Sequence, residues 1–186
     1  MWPVLLPAIC GQKVTSQQAH RAYFGILRRW GEDAPGPGRL RLPPRPEVIA
    51  TLPYYELHPV GLEQRRAVTL IRAAQGIERL QEAVSMPPAA ALSRLRTMPG
   101  IGAWTAAEVA RQAMGDPDAV SLGDFHIPDM VCWFLAGEPR GDDERMLELL
   151  EPYRGQRARV VRYIERAGVK PPKFGPRLTA QRIEDL

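Results

Sequence analysis

Cysteine is almost absent from this chain: Cys10 and Cys132 are the only two in 186 residues, and each sits among apolar neighbours. Two isolated cysteines give neither a metal-ligand spacing nor a disulfide framework, which fits a reducing, cytoplasmic setting. Lysine is nearly as scarce. Of the 25 basic residues only Lys13, Lys170 and Lys173 are lysine, so arginine carries the positive charge. Arginine suits two-pronged contact with phosphate, although codon bias in a GC-rich genome produces the same excess. No run of 18 apolar residues occurs, which argues against a membrane-spanning helix and a membrane partner. Residues 1–9 are apolar but lack a basic start and a cleavage site, so they are not a signal peptide. Alternation of period two is missing over any useful length, and no internal repeat is found.

What remains is helical. The chain is long enough for one sizeable core or two small lobes, and its net charge of +4 with a pI near 9.4 suits an acidic partner. A second helix follows the opening one after Gly11–Ser16, with Thr15 or Ser16 as cap and Ala19, Ala22, Tyr23, Ile26, Leu27 and Trp30 on its inner face. Residues 31–46, rich in proline and glycine, read as a surface connector. Short helices follow from Pro46, from Gly61 (inner face Ala67, Leu70, Ile71, Ala74) and from Ile77 to Val84. Pro87-Pro88 opens the next. Beyond residue 126 three amphipathic patterns remain. They run through Ile127, Met130, Val131, Phe134 and Leu135; Met146, Leu149, Leu150 and Tyr153; and Val160, Val161 and Ile164. The predicted fold class is all-α. The tail from Gly168 is expected to be extended or mobile.

Two landmarks stand out. Met98-Pro99-Gly100-Ile101-Gly102-Ala103-Trp104-Thr105-Ala106 is a glycine-punctuated turn between helical patterns, and Ala106, Val109, Ala110, Ala113 and Met114 continue one face. A turn that opens a helix presents free N–H groups and a positive dipole end, a setting suited to phosphate. Some twenty residues on, Ser121-Leu122-Gly123-Asp124-Phe125-His126-Ile127 brings an acidic residue into a new helix after a Gly/Pro/Asp loop. Asp124 has a plain reading as a helix cap, and a helix N-terminus stabilises its negative charge. Pro128 shifts the start of that helix a residue or two onward, because it cannot donate to the carbonyl four residues back.

Together the two segments resemble the helix-hairpin-helix DNA glycosylases, and within them most closely the 3-methyladenine glycosylases, over about Ala8 to Gly168. The resemblance implies two helical lobes with a DNA- and base-binding cleft between them: 1–14 with 125–186, and 15–124 holding the hairpin at 98–102. The N-terminal domain of such relatives is missing ahead of Met1, so the sequence reads as a truncated frame or a naturally minimal form. The implied activity is release of an alkylated purine from double-stranded DNA by a monomer in the cytoplasm, near the nucleoid. The implied catalytic residue is Asp124, whose carboxylate would stabilise the sugar's oxocarbenium character and orient a water.

The same resemblance assigns further residues. Trp104 stands where strand-cutting members hold a nucleophilic lysine, which implies base release without lyase activity; otherwise its ring is core. Trp104 and Tyr153 would wall an aromatic pocket for a cationic base, with Phe125 beside it, although Tyr153 also fits plain core. Glu108 replaces a tyrosine of the relatives, so it either adds a carboxylate to the pocket or faces solvent. Gln12 and Lys13 occupy the wedge loop that fills the gap left by a flipped base; Lys13 is equally an exposed loop lysine. The hairpin would bind phosphate through the N–H groups of Gly100 and Gly102, with the Thr105 hydroxyl. The backbone carbonyls of Arg96, Met98 and Ile101 would hold one metal ion. No other cofactor is implied, and an iron–sulfur cluster needing four cysteines is excluded by the two present. His126 is a minor candidate base. A glycosylase for a deaminated or mismatched base, and a non-catalytic DNA-binding protein, are the alternatives.

Overall fold

The computed structural model describes residues 1–172, and these are all-α apart from one small β-ladder. The described residues divide into two compact units, Met1–Ile101 and the stretch from Gly102 onward. The lobes read from the sequence, 1–14 with 125–186 against 15–124, are drawn along a different line. The tail from Lys173 lies outside the described residues.

In the first unit, α1 (Trp2–Cys10) buries Leu5, Leu6, Ile9 and Cys10 completely and packs on α2 (Ser16–Trp30) and α4 (Gln64–Gln75). Its apolar composition is thereby explained. Thr15, not Ser16, caps α2, accepting from the Gln18 N–H while the Gln18 side chain returns to the Thr15 N–H, a reciprocal capping box. The 31–46 connector is better ordered than its proline content suggests. Its β1 (Glu32–Asp33) and β2 (Arg41–Leu42) form a two-residue antiparallel ladder, and the Trp2 indole donates to the Pro44 carbonyl at 2.8 Å. A period-two pattern could not reveal strands this short. α3 (Pro46–Ala50) and the 3-10 turn Tyr54–Val60 then pack on α4.

One buried cation organises this unit. Arg66, 1% exposed, reaches from α4 to the Cys10 carbonyl at the end of α1, to the Gly61 carbonyl, and to Glu63. A buried guanidinium is tolerated because its donors are matched by acceptors. Burial, moderated by Arg66, pushes the Cys10 thiol up to about 12, which makes it unreactive. α5 (Ile77–Gln81), a 3-10 turn at Glu82–Ser85 and α6 (Pro88–Arg96) lead to the hairpin. Val84, read as continuing that short helix, is 45% exposed, because the helix tightens to 3-10 there and the helical period lapses.

In the second unit, α8 (Ile127–Ala136), α9 (Asp143–Leu150) and α10 (Arg157–Ala167) close a core of Ile127, Val131, Met146, Leu150, Val161 and Ile164. Asp142 is the cap of α9, accepting from the Arg145 N–H at 2.8 Å. Phe134 and Tyr153 depart from expectation. Phe134 is 45% exposed at the edge of its helix face, and Tyr153 falls on the 3-10 turn Glu151–Tyr153, where Pro152 has ended the α9 repeat and left it 41% exposed. α7 (Ala103–Ala113) buries Ala106, Val109 and Ala110, as its spacing predicts.

Candidate active site

Asp124 lies in the loop between α7 and α8, and its two carboxylate oxygens have different partners. Oδ1 accepts the His126 N–H at 2.8 Å and the Ile127 N–H at 3.0 Å, capping α8; Oδ2 accepts the Trp104 indole N–H at 2.8 Å. The capping and catalytic readings of Asp124 are therefore structurally compatible. α8 begins only at Ile127, with Pro128 in its first turn, where its missing N–H costs nothing. His126 spends its backbone N–H on Asp124 and its ring meets Phe125 edge-on, with centroids 5.0 Å apart. Phe125 is 76% exposed.

The loop carrying Asp124 is fastened at several points that sequence reasoning did not anticipate. Asp116 Oδ1 accepts the Asp118 N–H at 2.8 Å, a local side-chain turn. Asp118 then accepts from the Gly155 and Arg157 backbone N–H groups and from the Arg157 guanidinium. Those hydrogen bonds, the Arg157 side chain foremost, hold the Asp118 carboxyl below the usual range. Ser121, 4% exposed, donates to Glu108 Oε1 at 2.6 Å, and the Gly123 N–H donates to Asp143 at 2.8 Å. The Asp-Pro-Asp and Ser-Leu-Gly-Asp spellings signalled a turn; their long-range partners had no sequence signal.

Both carboxylate oxygens of Glu108 are bonded. It does not face solvent: Arg111 and Gln112 each donate to Oε2 at 2.7 Å, and Ser121 occupies Oε1. The cavity it lines with Arg111, Ser121 and Glu165 is about 10 Å³, room for one water and far too small for a nucleobase. Glu108 thus fastens the Asp124 loop to α7. Burial raises the Glu165 carboxyl, with Glu108 and Asp124 adding to the rise and Arg111 and Arg162 opposing it. The folded state then holds this proton to higher pH than the unfolded chain, so stability from Glu165 is full below the ordinary glutamate range and is lost as pH rises through the raised value. Glu165→Gln is expected to flatten that decline. The urea midpoint of the variant relative to wild type should be higher at about pH 7 than at about pH 4; an equal effect of the substitution at both would contradict this assignment.

The hairpin is built by one strained position. Gly100 has φ +96°, and a Cβ there would lie 2.3 Å from Thr69 Oγ1 and 2.6 Å from its Cγ2. Thr69 is itself pinned, donating to the Arg65 carbonyl at 2.8 Å. Gly100→Ala is therefore expected to destabilise by about 2–4 kcal/mol, combining forced positive φ with a clash. Thr69→Ala in the same chain should recover the clash but not the backbone cost; full recovery, or none, in denaturant titration would refute this division. Gly102 differs: its backbone is extended, open space surrounds it, and it is the cap of α7 without a side-chain acceptor for the first N–H groups. Thr105 is 2% exposed, which withdraws from solvent the hydroxyl expected to meet phosphate, since the third residue of α7 falls on its buried side.

On the first unit, Gln12 Nε2 donates to the Gly100 carbonyl at 2.9 Å, joining the 11–15 loop to the hairpin across 88 residues of sequence. Lys13, exposed beside it, is the only non-glycine residue with positive φ among those described, at +53°. Such a conformation persists only where its surroundings impose it. As for metals, no group of three His, Cys, Asp or Glu side chains among the described residues could hold an ion. The Met98 carbonyl, which accepts the Ile101 N–H at 3.0 Å, has a second lone pair, and carbonyl oxygens of one turn are the donor type a hard cation takes.

With this geometry in view, three similarities are informative. No family model matches the chain. It is 32% identical over 121 residues to a thymine-DNA glycosylase of Aeropyrum pernix, covering 63% of this chain and 47% of that protein. It thus spans about half the length of the curated relative it matches. Among solved structures it superposes on 3-methyladenine DNA glycosylase from Archaeoglobus fulgidus with a TM-score of 0.76 and 24% identity, over 86% of this chain and 55% of that one. On a Schizosaccharomyces pombe 3-methyladenine DNA glycosylase in complex with abasic DNA it scores 0.74 at 19% identity, over 93% and 83%. Hairpin, capped aspartate and superposition agree: the fold of this chain is that of the helix-hairpin-helix DNA glycosylases.

Proposed function

We propose that this chain is a DNA glycosylase that releases a damaged base from double-stranded DNA, with Asp124 as the catalytic residue. The observation that carries the reading is the Trp104 indole N–H bonded to Asp124 Oδ2 while Oδ1 caps α8. A carboxylate held from both sides can face a developing positive charge without reorganising. In the reaction, the N-glycosidic bond breaks with its electron pair leaving on the base nitrogen. A water oxygen then bonds to C1′ of the sugar, and its proton passes by way of Asp124 to solvent. Lys13, in its strained turn beside Gln12, fills the space of the flipped nucleotide, its stem stacking and its ammonium reaching phosphate. The uncapped N–H groups at the start of α7 take a backbone phosphate. The carbonyls of Arg96, Met98 and Ile101 would hold a single hard cation, which would steady the hairpin and add positive charge beside the phosphate.

An alkylated purine is the substrate favoured by Trp104, whose ring attracts a cationic base that is already a good leaving group. A mismatched or deaminated base is the second reading, supported by the likeness to a thymine-DNA glycosylase. Chromatography of bases freed from methylated duplex, and from duplex holding a G·T or G·U pair, separates the two. Release from neither, with DNA still bound, would leave only a DNA-binding module. Because Trp104 supplies no amine for a Schiff base, abasic product should stay uncut; strand nicking that is trapped by borohydride would contradict this.

A further inference from the structure

The first unit carries a second feature suited to phosphate, away from the hairpin. α2 crosses the 3-10 turn Tyr54–Val60 so closely that a Cβ on Gly25 would lie 2.8 Å from Val60 Cβ. That contact forms the floor of an open groove of about 330 Å³, lined by Arg21, Gly25, Arg28, Arg29, Pro59 and Val60. The arginines stand at −4, +3 and +4 from Gly25, the spacing that puts side chains on one helix face around a central position. Arg29 is turned aside, paired with Glu56 and stacked over Trp30 with its guanidinium carbon 4.9 Å from the ring centroid. Arg21 and Arg28 are both exposed and lie seven residues apart, roughly 10 Å along the helix axis.

We infer that this groove binds the sugar-phosphate backbone of duplex DNA flanking the lesion, with Arg21 and Arg28 each contacting a phosphate. This rests on the glycosylase reading above. The occupant is a nucleic-acid strand rather than a lone anion because two cations about two helix turns apart match successive contacts on an extended polyanion. The floor of Gly25, Pro59 and Val60 is smooth and apolar, so it suits a sugar edge and offers no base-specific contact, as backbone binding requires. Further, α2 begins directly after Lys13, so Arg21 and Arg28 lie roughly 10–20 Å of helix rise from the wedge loop. A strand leaving the flipped nucleotide can cover that distance within a few base pairs.

The test is duplex binding by fluorescence anisotropy across a salt series, using the full chain. Wild type is compared with Arg21→Gln/Arg28→Gln and with a charge-matched control, Arg39→Gln/Arg79→Gln, that removes two arginines elsewhere. Loss of two phosphate contacts should make the slope of log affinity against log salt shallower by about 1.8 and weaken binding about tenfold or more at low salt. The control should keep the wild-type slope. The single-turnover rate of base release at saturating protein should stay unchanged, because the groove touches no reacting atom. A double variant that tracks the control, or one that loses heparin binding but not DNA binding, overturns the proposal while the glycosylase reading stands. Wild type that fails to bind duplex even at low salt overturns both.

Discussion

Asp124→Asn is expected to lower single-turnover base release about 10²–10³-fold, the effect of removing one preorganised charge from a transition state. Asparagine is the informative replacement because it is as good a helix cap as aspartate. Its carbonyl oxygen can serve the His126 and Ile127 N–H groups that Oδ1 now serves. The amide NH₂ would then face the Trp104 N–H, donor against donor, where Oδ2 now accepts. One cap or one indole bond must be lost, so a stability cost of about 1–2 kcal/mol accompanies the substitution. A fall in activity far larger than that cost can explain, with duplex binding retained, assigns Asp124 to chemistry. Activity within a few-fold of wild type would sink the catalytic assignment and leave Asp124 as a cap.

The largest effect on stability is expected at Arg66. Replacing a buried ion pair by apolar groups is often harmless, because both charges disappear together. That escape is closed here, since two of the three acceptors are the backbone carbonyls of Cys10 and Gly61, which no substitution removes. Arg66→Met would fill the volume but strand both carbonyls in a site that is 1% exposed. The expected cost is about 3–5 kcal/mol, enough to lower Tm by about 15 °C or more in a unit of this size. Glu63→Gln, which leaves the carbonyl bonds in place and alters a partner that is 42% exposed, should cost about 1 kcal/mol or less. Equal losses in the two variants would show that the ion pair, and not the two carbonyls, carries the stabilisation.

Both predictions turn on contacts that link distant parts of the chain, and this bears on what could be read in advance. The all-α class, the faces of α2, α4, α7 and α10, a cap on α2 at Thr15 or Ser16 and the hairpin between α6 and α7 were legible. Each depends on residues within about one or two turns of one another, where helical period and capping chemistry act locally. The place of Asp124 at the start of α8 was legible for the same reason. Where the local period lapsed, the reading failed: Tyr153 and Val84 face outward because 3-10 turns replace the α-helical repeat beneath them.

What tertiary structure alone decided is which partner each polar group meets. Glu108 could face solvent or a base by sequence; it is claimed by Ser121, thirteen residues on, through a loop whose path depends on Asp118 gripping Arg157. Trp104 could be core or pocket wall; its indole N–H goes to Asp124, and that bond creates the candidate site. Nothing in the sequence sets Arg66 apart from the other arginines; three segments meet on its guanidinium. A hydrophobic face is a property of spacing along one helix, and so is written in the sequence. A hydrogen bond between residues far apart in the chain needs both ends placed to within a few tenths of an ångström, and only the packed chain sets that distance.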